Sequence, residues 1–256
     1  MTKPWLIRTL PWTVTLGSLV LWQLVCVVFS IPTFILPTPI EVIGSLAQYY
    51  EPITTHSLQT LVTTLVGFGL AVAFGLVLGL VVGSSRVVYD ALYPLMVAFN
   101  SIPKVAIVPV LVIWFGIGTV PAILTAFLIS FFPIVVNVAT GLATIEPELR
   151  DVMRSLGARK SQILWKIGIP RAMPYFFASL KVAITLAFVG SIVSETVAAN
   201  AGIGYLMISA SSRFDVPLVF AGLVVIAVLG VVMYELFVLI ERRVTFWATR
   251  GHELVT

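Results

Sequence analysis

Three long stretches of this chain carry no charged side chain, and they constrain its fold more than any other feature. Residues 10–30, 58–83 and 119–145 contain no Lys, Arg, Asp or Glu. Each is long enough to cross about 30 Å of bilayer hydrocarbon, for which a helix needs roughly 20 residues. Because backbone N–H and C=O groups must be hydrogen-bonded within the chain at that depth, these stretches predict transmembrane helices.

Three further apolar stretches raise the predicted number of spans to six. The mean hydropathy is +1.10 and only 10% of residues are charged, far below the roughly 25% typical of soluble domains. We therefore predict an all-α membrane protein with one transmembrane domain over residues 1–256. The predicted spans are at about 10–30, 58–83, 87–115, 119–143, 176–197 and 216–240.

The first span is expected to be retained. Its apolar run is about 20 residues long, whereas the apolar core of a cleaved signal peptide has about 7–15, and no small-x-small cleavage motif follows. Cys26 is the only cysteine, so no disulfide framework or Cys-rich metal site is expected. His56 and His252 lie on opposite predicted sides, so no metal site and no catalytic residue are predicted.

The cations predict the orientation of the spans. Of the 15 Lys and Arg residues, most lie in the N-terminus, the 84–90 loop, the 146–175 segment and the C-terminus. Six alternating spans place these four regions on one side of the membrane. The positive-inside rule makes that side cytoplasmic, with both termini. The net charge of +4 thus follows from topology, and nucleic-acid binding is not needed to explain it.

Small residues recur every four positions along the second span, which lays one narrow stripe along a helix face. Such stripes let helix backbones approach closely in lipid. Two interpretations are open. In the first, this helix packs in the centre of the bundle or against a second permease copy and slides there during transport. In the second, the stripe is static close packing within one subunit. The stripe consists of Gly67, Ala71, Gly75, Gly79 and Gly83.

The third span is predicted to be broken at Asn100-Ser101-Ile102-Pro103. Irregular backbone at membrane depth must be buried in protein or face a water-filled cavity, and Lys104 stands beside the break. Lys104 either lines a translocation pathway or extends to the cytoplasmic interface. Asn137 and Glu195 also stand in apolar surroundings. In the functional interpretation, both line that pathway. The alternative for Asn137 is a hydrogen bond to a neighbouring helix, and the alternative for Glu195 is a position at the outer headgroup boundary.

Residues 146–174 form a charged, helix-compatible segment between two spans. Apolar residues recur at the spacing of one helix face, and Gly157 stands where a left-handed helix end is favoured. A second run begins near Ala158, and Pro170 and Pro174 predict a break before the next span. The pattern predicts a helix, a bend and a helix at the membrane surface, with an apolar stripe of Leu149, Val152, Met153 and Leu156.

The spacing in this segment resembles the EAA---G---------I-LP motif of permease subunits of bacterial ABC importers. Asp151-Val152-Met153 stands where the family has Glu-Ala-Ala, and Gly157 matches outright. Ile167 falls at the expected offset, and Ile169-Pro170 stands for Leu-Pro. The family's segment is a coupling helix that docks into a cytoplasmic ATPase. The resemblance thus implies ATPase-coupling roles for Glu148, Asp151, Val152, Met153, Leu156, Gly157, Ala158, Ile167 and Pro170.

The resemblance also implies the partners and location of the chain. It implies a type I ABC importer transmembrane fold in the bacterial cytoplasmic (inner) membrane. The partners would be a second, identical permease copy, two ABC ATPase subunits and an extracytoplasmic substrate-binding protein. The chain has no G-x-x-x-x-G-K-[ST] phosphate loop. ATP and Mg²⁺ would therefore be bound by the ATPase subunits, with no cofactor on this chain and no enzyme activity of its own.

Two other stretches are similar to permeases of the taurine, sulfonate and nitrate importer group. SETVAANAGIGYLM, from Ser194, resembles that group's AE---A--GLGYLI stretch, with Ile203 in place of Leu, and VLVIWFGIG at 110–118 also looks like this group. The implied function is binding-protein-dependent import of a small anionic or zwitterionic solute by alternating access. The alternative is a secondary transporter driven by an ion gradient, which usually shows internal repeats with matching broken spans.

Overall fold

A computed structural model describes residues 4–143 and 146–244, and within these ranges every regular element is helical. The predicted cytoplasmic termini, with Lys3, Arg250 and His252, lie outside the described residues, as do residues 144–145. The helices are α1 (Pro4–Val28), α2 (Pro39–Gln48), α3 (Tyr50–Gly83), α4 (Arg86–Ser101), α5 (Val108–Phe115), α6 (Thr119–Ala143), α7 (Pro147–Ser155), α8 (Lys160–Ile163), α9 (Ile169–Ala198), α10 (Ile203–Ser212) and α11 (Val216–Val244).

The transmembrane helices agree with the predicted all-α fold. In the described part of the chain, five stretches of helix are long and apolar enough to cross a membrane. A sixth span results if α4 and the helical turns from Lys104 to Phe115 are counted together, although they are bent by 71°. Helix α4 ends at Ser101, and Ile102 is extended. The predicted break in the third span is therefore present.

The small-residue stripe of α3 packs against α6 of the same chain. A Cβ atom added to Gly67 or Gly79 would lie 2.6 Å from the Cβ of Ala126 or Val138, closer than real side chains approach. Ala71, in the middle of the stripe, is completely buried. The close packing is therefore within one subunit, and the interpretation that this face meets a second copy is wrong.

Helices α3, α6 and α9 form the centre of the molecule. Their buried side chains make one apolar cluster with Met233 of α11. Helix α11 is also joined to α9 by an ion pair of 2.6 Å between Lys181 and Glu241. Helix α1 lies outside this centre, with most of its described side chains exposed in the isolated chain and only Cys26 among them buried. A lipid-facing surface of this kind is normal for a first span. The cluster contains Phe68, Ala71, Ala126, Ile134, Val138, Leu180, Ala183, Ile184, Ala187, Phe188 and Met233.

A short helix, α2, precedes the second span and was not predicted. Thr38 is its N-cap: the hydroxyl of Thr38 accepts from the Glu41 N–H at 3.3 Å, and a Glu41 oxygen accepts from the Thr38 N–H at 2.7 Å. The hydrogen bond from the Thr38 backbone is the main reason that the pKa of Glu41 is lowered from its usual value. Thr-Pro-Ile-Glu is a capping-box signature with Pro at the first helical position, which is the signal that sequence reasoning missed.

The predicted break at Pro170 and Pro174 is wrong, because helical structure runs without interruption from Lys160 to Ala198. Pro170 lies in the first turn of α9, directly after a π-helical turn at Leu164–Gly168. The wider turn and the N-terminal position accommodate a residue that has no N–H to donate. Pro174 lies inside α9, as prolines in membrane helices often do.

Candidate functional site

The coupling elbow, which we define as residues 147–158, is closed by a glycine-dependent turn. The Gly157 N–H donates to the Arg154 carbonyl at 2.9 Å, and the Ala158 N–H donates to the Met153 carbonyl at 3.0 Å. Gly157 has φ +79°. These are the two hydrogen bonds and the left-handed residue of a Schellman motif. The predicted helix end at Gly157 is therefore present, and it fixes the direction in which the chain leaves α7.

The apolar stripe of the elbow is left bare by the rest of the chain. Leu156 is 77% exposed and Val152 is 56% exposed, while Leu149 and Met153 are half-buried. An apolar stripe exposed on a nine-residue helix is atypical of a surface that meets only water. The stripe is therefore available to a partner.

The polar face of the elbow carries exposed charges that pair locally. An Asp151 carboxylate oxygen lies 3.4 Å from an Arg154 guanidinium nitrogen. Glu148 is exposed in the first turn of α7. Such solvent-exposed pairs contribute little to stability.

The base of the elbow is fixed to the core at two places. A Glu146 oxygen lies 3.2 Å from an Arg171 nitrogen, and Ile167 packs against the buried pair Leu142 and Ala172. Pro170 is exposed beside it. Because α8, the π turn and α9 are continuous, the elbow is joined to a core helix through the short turn at residues 156–159.

Lys104 hydrogen-bonds across the break in the third span. The Lys104 ammonium donates to the backbone carbonyl and to the side-chain oxygen of Asn100, at 2.8 and 2.6 Å. It also lies 6.0 Å from the centre of the Phe132 ring. Pro103 precedes a 3₁₀ turn at Lys104–Ile107. The cation thus satisfies one of the backbone carbonyl oxygens that the end of α4 leaves without a helical donor.

Glu195 is the most deeply enclosed charged residue in the described chain. It is 2% exposed, and its oxygens accept from the hydroxyls of Thr60 at 2.8 Å and Thr63 at 3.3 Å. The Gly204 N–H donates to the same carboxylate at 3.1 Å. We call Glu195 with Thr60, Thr63 and Gly204 the carboxylate joint, because it connects α3, α9 and α10.

A second layer of hydrogen bonds surrounds the joint. The Thr60 hydroxyl accepts from the Ile203 N–H at 2.8 Å, the Ser191 hydroxyl donates to Thr63 at 2.7 Å, and the Gly202 N–H donates to His56 Nδ1 at 3.1 Å. Gly202 has φ +105°, and a Cβ there would overlap the Glu195 carboxylate. The start of α10 is therefore shaped around this carboxylate.

Sequence reasoning found Glu195 but missed its partners. Their signal is weak, since threonines in a helix normally bond to their own backbone. The spacing of His56, Thr60 and Thr63, at i, i+4 and i+7, places all three on one face of α3.

The predicted pathway residues do not form one cluster. Asn100 and Lys104 are in direct contact, whereas the Asn137 amide donates to the Pro133 carbonyl of its own helix at 2.8 Å. Glu195 lies 26 residues along α9 from Ile169, about 39 Å, so the joint and the elbow occupy opposite ends of the molecule. Among the described residues, no group of three or more His, Cys, Asp or Glu could hold a metal ion.

Comparisons with known proteins show the family of the chain and agree with its fold. Residues 71–246 match the family model described as "Binding-protein-dependent transport system inner membrane component". The riboflavin transport system permease protein RibX of Chloroflexus aurantiacus is 36% identical, over 95% of this chain and 91% of that protein. The taurine transport system permease protein TauC of Escherichia coli is 28% identical, over 92% of this chain and 90% of that protein.

A solved structure supports the fold independently. An inward-facing structure of the MetNI methionine ABC transporter matches with a TM-score of 0.67 and 20% identity, covering 78% of this chain and 98% of that one. The comparisons do not favour a secondary transporter, and the matching family is not an enzyme family. The chain therefore belongs to the family of binding-protein-dependent inner membrane components, the multi-pass permease subunits of ABC transporters.

Proposed function

We propose that the coupling elbow is the surface through which a separate ATPase drives this permease. The observation that carries the proposal is the exposed apolar surface of Val152 and Leu156 on a short helix whose flanking residues contact the core. Leu156 is 77% exposed although it stands in a Schellman turn. A partner groove that covers Leu156 and Val152 would bury the apolar area that the chain itself leaves in water.

The assembly that we propose contains two permease copies, two ATPase subunits and an extracytoplasmic binding protein. The relatives are named as permeases of transport systems, and this sequence lacks a phosphate loop. ATP and Mg²⁺ belong to the ATPase subunits in this scheme. The permease copies are identical, and both termini are cytoplasmic.

The proposed mechanism is alternating access. Closure of the ATPase dimer moves the elbow, and the continuous helix from Lys160 to Ala198 transmits that movement across the membrane. The bundle then opens outward to receive solute and returns inward after hydrolysis. A rigid connection suits this role because an interposed flexible loop would absorb the displacement.

The proposed solute is small and anionic or zwitterionic. Asn100, Pro103 and Lys104 support a pathway at the 71° bend, since an ammonium group at that place favours a negatively charged group. Asn137 and Glu195 are weaker members of the proposed pathway, because they lie on α6 and α9 and not at this bend, and Glu195 is only 2% exposed. Riboflavin and taurine, named for the relatives, belong in the test panel.

The elbow is tested by truncating one exposed leucine. In vesicles with the partner ATPase, Leu156→Ala should weaken ATPase docking by about 2 kcal/mol, as for an interface hot spot, and uptake should fall accordingly. Val87→Ala is the matched control, since Val87 is also 77% exposed but lies outside the elbow. Equal uptake by both variants would contradict the proposal, as would uptake that needs an ion gradient and no ATP.

The pathway is tested at Lys104. Lys104→Met should lower uptake of anionic solutes while docking of the ATPase stays unchanged. The measurement is ATP hydrolysis stimulated by loaded binding protein, across the solute panel. If stimulation by an anionic solute survives at the wild-type level, Lys104 does not line the pathway.

A further inference from the structure

Helices α10 and α11 form a hairpin at the same end of the molecule as the carboxylate joint. Helix α10 begins at the joint and α11 returns past it, since a Cβ added to Gly222 of α11 would meet the Met207 side chain of α10. We call the turn between them, residues 213–215, the hairpin tip. Phe214 at this tip is 82% exposed, the largest exposed fraction among the described large apolar side chains. The chain itself therefore leaves this aromatic ring uncovered.

The tip holds Phe214 in a backbone conformation that phenylalanine rarely adopts. The Phe214 N–H donates to the Ser211 carbonyl and the Asp215 N–H donates to the Ala210 carbonyl, both at 3.0 Å. With φ +59° at Phe214, these bonds make a Schellman motif in which Phe replaces the usual Gly. A bulky residue with positive φ is an outlier, and strain of this kind is concentrated at functional positions.

Neighbouring contacts hold the strained turn in place. An Asp215 oxygen accepts from the Leu218 N–H at 3.3 Å at the start of α11, and the Asp215 side chain is also hydrogen-bonded to Tyr49. Leu218 is buried with Ala210 in an apolar cluster to which α2, α3, α10 and α11 all contribute. The tip is thus pre-organised, which favours binding to a partner of defined shape because less order has to be imposed.

The position of the tip separates Phe214 from the lipid tails. Arg242 lies in the last turn of α11, at the cytoplasmic end in the orientation proposed above. Roughly 20 residues outward from Arg242 cross the hydrocarbon and reach Gly222. Asp215 of the tip lies about 10 Å further along this direction, and Arg213 beside it is exposed. Phe214 therefore meets the outer headgroups or water.

We propose that the hairpin tip is a contact point for the extracytoplasmic binding protein. Phe214 inserts into an apolar pocket of that protein, and Arg213 pairs with a carboxylate at the rim of the pocket. Aromatic and Arg side chains are the usual anchors of protein interfaces, and the matching family is described as dependent on a binding protein. This inference rests on the proposed function, from which it takes the orientation and the partner.

The fixed geometry of the tip favours a protein partner over lipid. Lipid headgroups are fluid and accommodate an aromatic ring in many orientations, so a strained backbone at Phe214 brings no gain there. A shaped pocket gains affinity from a ring that is already held in place. The Gly204 N–H in the first turn of α10 donates to Glu195, so the joint connects the helix that carries the tip to α9.

The test uses the full chain with its ATPase in nanodiscs and titrates the solute-loaded binding protein of the same transport system. Phe214→Asn removes the ring but keeps a residue that tolerates positive φ. The affinity for the binding protein should fall about thirtyfold, as for an interface hot spot, while Tm stays equal or rises. Leu239→Ala, at an exposed position near the cytoplasmic end of α11, is the control and should bind as the wild type.

Arg213→Glu tests the charge at the rim independently of the ring. The association rate with the binding protein should fall about tenfold at low salt, and the loss should be smaller at high salt because the charges are then screened. An equal or faster association rate would exclude a carboxylate partner for Arg213.

The outcomes separate this inference from the proposed function. If the wild type binds the binding protein and Phe214→Asn binds it equally well, the inference about the tip is wrong and the proposed function is unaffected. If the wild type neither binds it nor responds to it in ATP hydrolysis, the proposed function fails, and this inference fails with it. Unchanged affinity with a Tm that falls only in nanodiscs would assign Phe214 to lipid. Unchanged affinity with an altered oligomeric state would assign the tip to a second copy.

Discussion

The coupling elbow and the carboxylate joint stand at opposite ends of one helix and differ in how complete they are. The joint satisfies both Glu195 oxygens within the chain, at 2% exposure, whereas the elbow leaves Leu156 77% exposed. A buried charge is tolerated only when it is hydrogen-bonded. The joint is thus self-contained, while the elbow is half of an interface. Substitutions at the joint should affect folding, and substitutions at the elbow should affect communication with a partner.

The strongest test of this contrast is Gly202→Ala. Gly202 combines φ +105° with direct crowding against Glu195, so alanine adds backbone strain and displaces a buried carboxylate. We expect a loss of about 3–5 kcal/mol in the free energy of unfolding, seen as loss of monodisperse protein or a large drop in Tm in detergent. The control Gly69→Ala places its methyl group in open space and should keep or raise stability. A folded Gly202→Ala protein with wild-type Tm would show that the joint is not tightly built.

A milder test of the joint is Thr60→Val. The Thr60 hydroxyl donates to Glu195 and accepts from the Ile203 N–H, both at 2.8 Å. Valine therefore removes one of the hydrogen bonds to the buried Glu195 carboxylate and leaves the Ile203 N–H without this acceptor. We expect a loss of about 2–3 kcal/mol, measured by thermal unfolding. Thr54→Val is the control, since the exposed Thr54 hydroxyl bonds only to carbonyls of its own helix. Equal Tm values for the two variants would contradict the network.

The matching substitution at the elbow is Gly157→Ala. Gly157 also has positive φ, at +79°, but an added methyl group would meet no atom within 4 Å. Only the left-handed strain remains, about 1–2 kcal/mol. The fold should therefore survive while ATPase stimulation falls, because the strained turn redirects the helix end. Unfolding as severe as that of Gly202→Ala would erase the distinction between the two regions.

The smallest expected effect concerns Glu41 in the partly exposed capping box of α2. The hydrogen bond from the Thr38 backbone N–H is the largest cause of the lowered pKa of Glu41. The ionised Glu41 carboxylate therefore contributes to stability above the pKa that Glu41 has in the unfolded chain. This contribution is lost as the pH falls through the folded-state pKa. The difference in the free energy of unfolding between wild type and Glu41→Gln, followed through Tm, should be small at pH 7, below about 1 kcal/mol after solvent screening. It should shrink towards pH 3, well below the reference Glu pKa of about 4.3. A difference that grows with acidification would contradict this sign.

The contrast also explains what the sequence could reveal. Features encoded by local periodicity were predictable: the uncharged spans, the stripe from Gly67 to Gly83, the break before Pro103 and the helix end at Gly157. These depend on neighbours within a few residues. The π turn that accommodates Pro170 was not predictable, because it depends on how the chain continues into α9 and packs on Leu142.

The carboxylate joint shows the same limit at long range. Thr60 and Glu195 are separated by 135 positions, and no periodicity connects them. A glutamate late in an apolar span indicates only that a partner must exist. Which partner it has depends on the crossing of α3 and α9, which brings three helices together. The small-residue stripe likewise indicated close packing but not which helix it meets.

The uninterrupted helical rod from Lys160 to Ala198 has a geometric consequence. At 1.5 Å per residue its 39 positions span about 58 Å, with the elbow at one tip and Glu195 near the other. A pivot of about 5° around the elbow end of such a rod displaces the far tip by about 5 Å, close to one helical turn. In the proposed mechanism, a small angular movement at one membrane surface would therefore become a displacement of about one helical turn at the opposite surface.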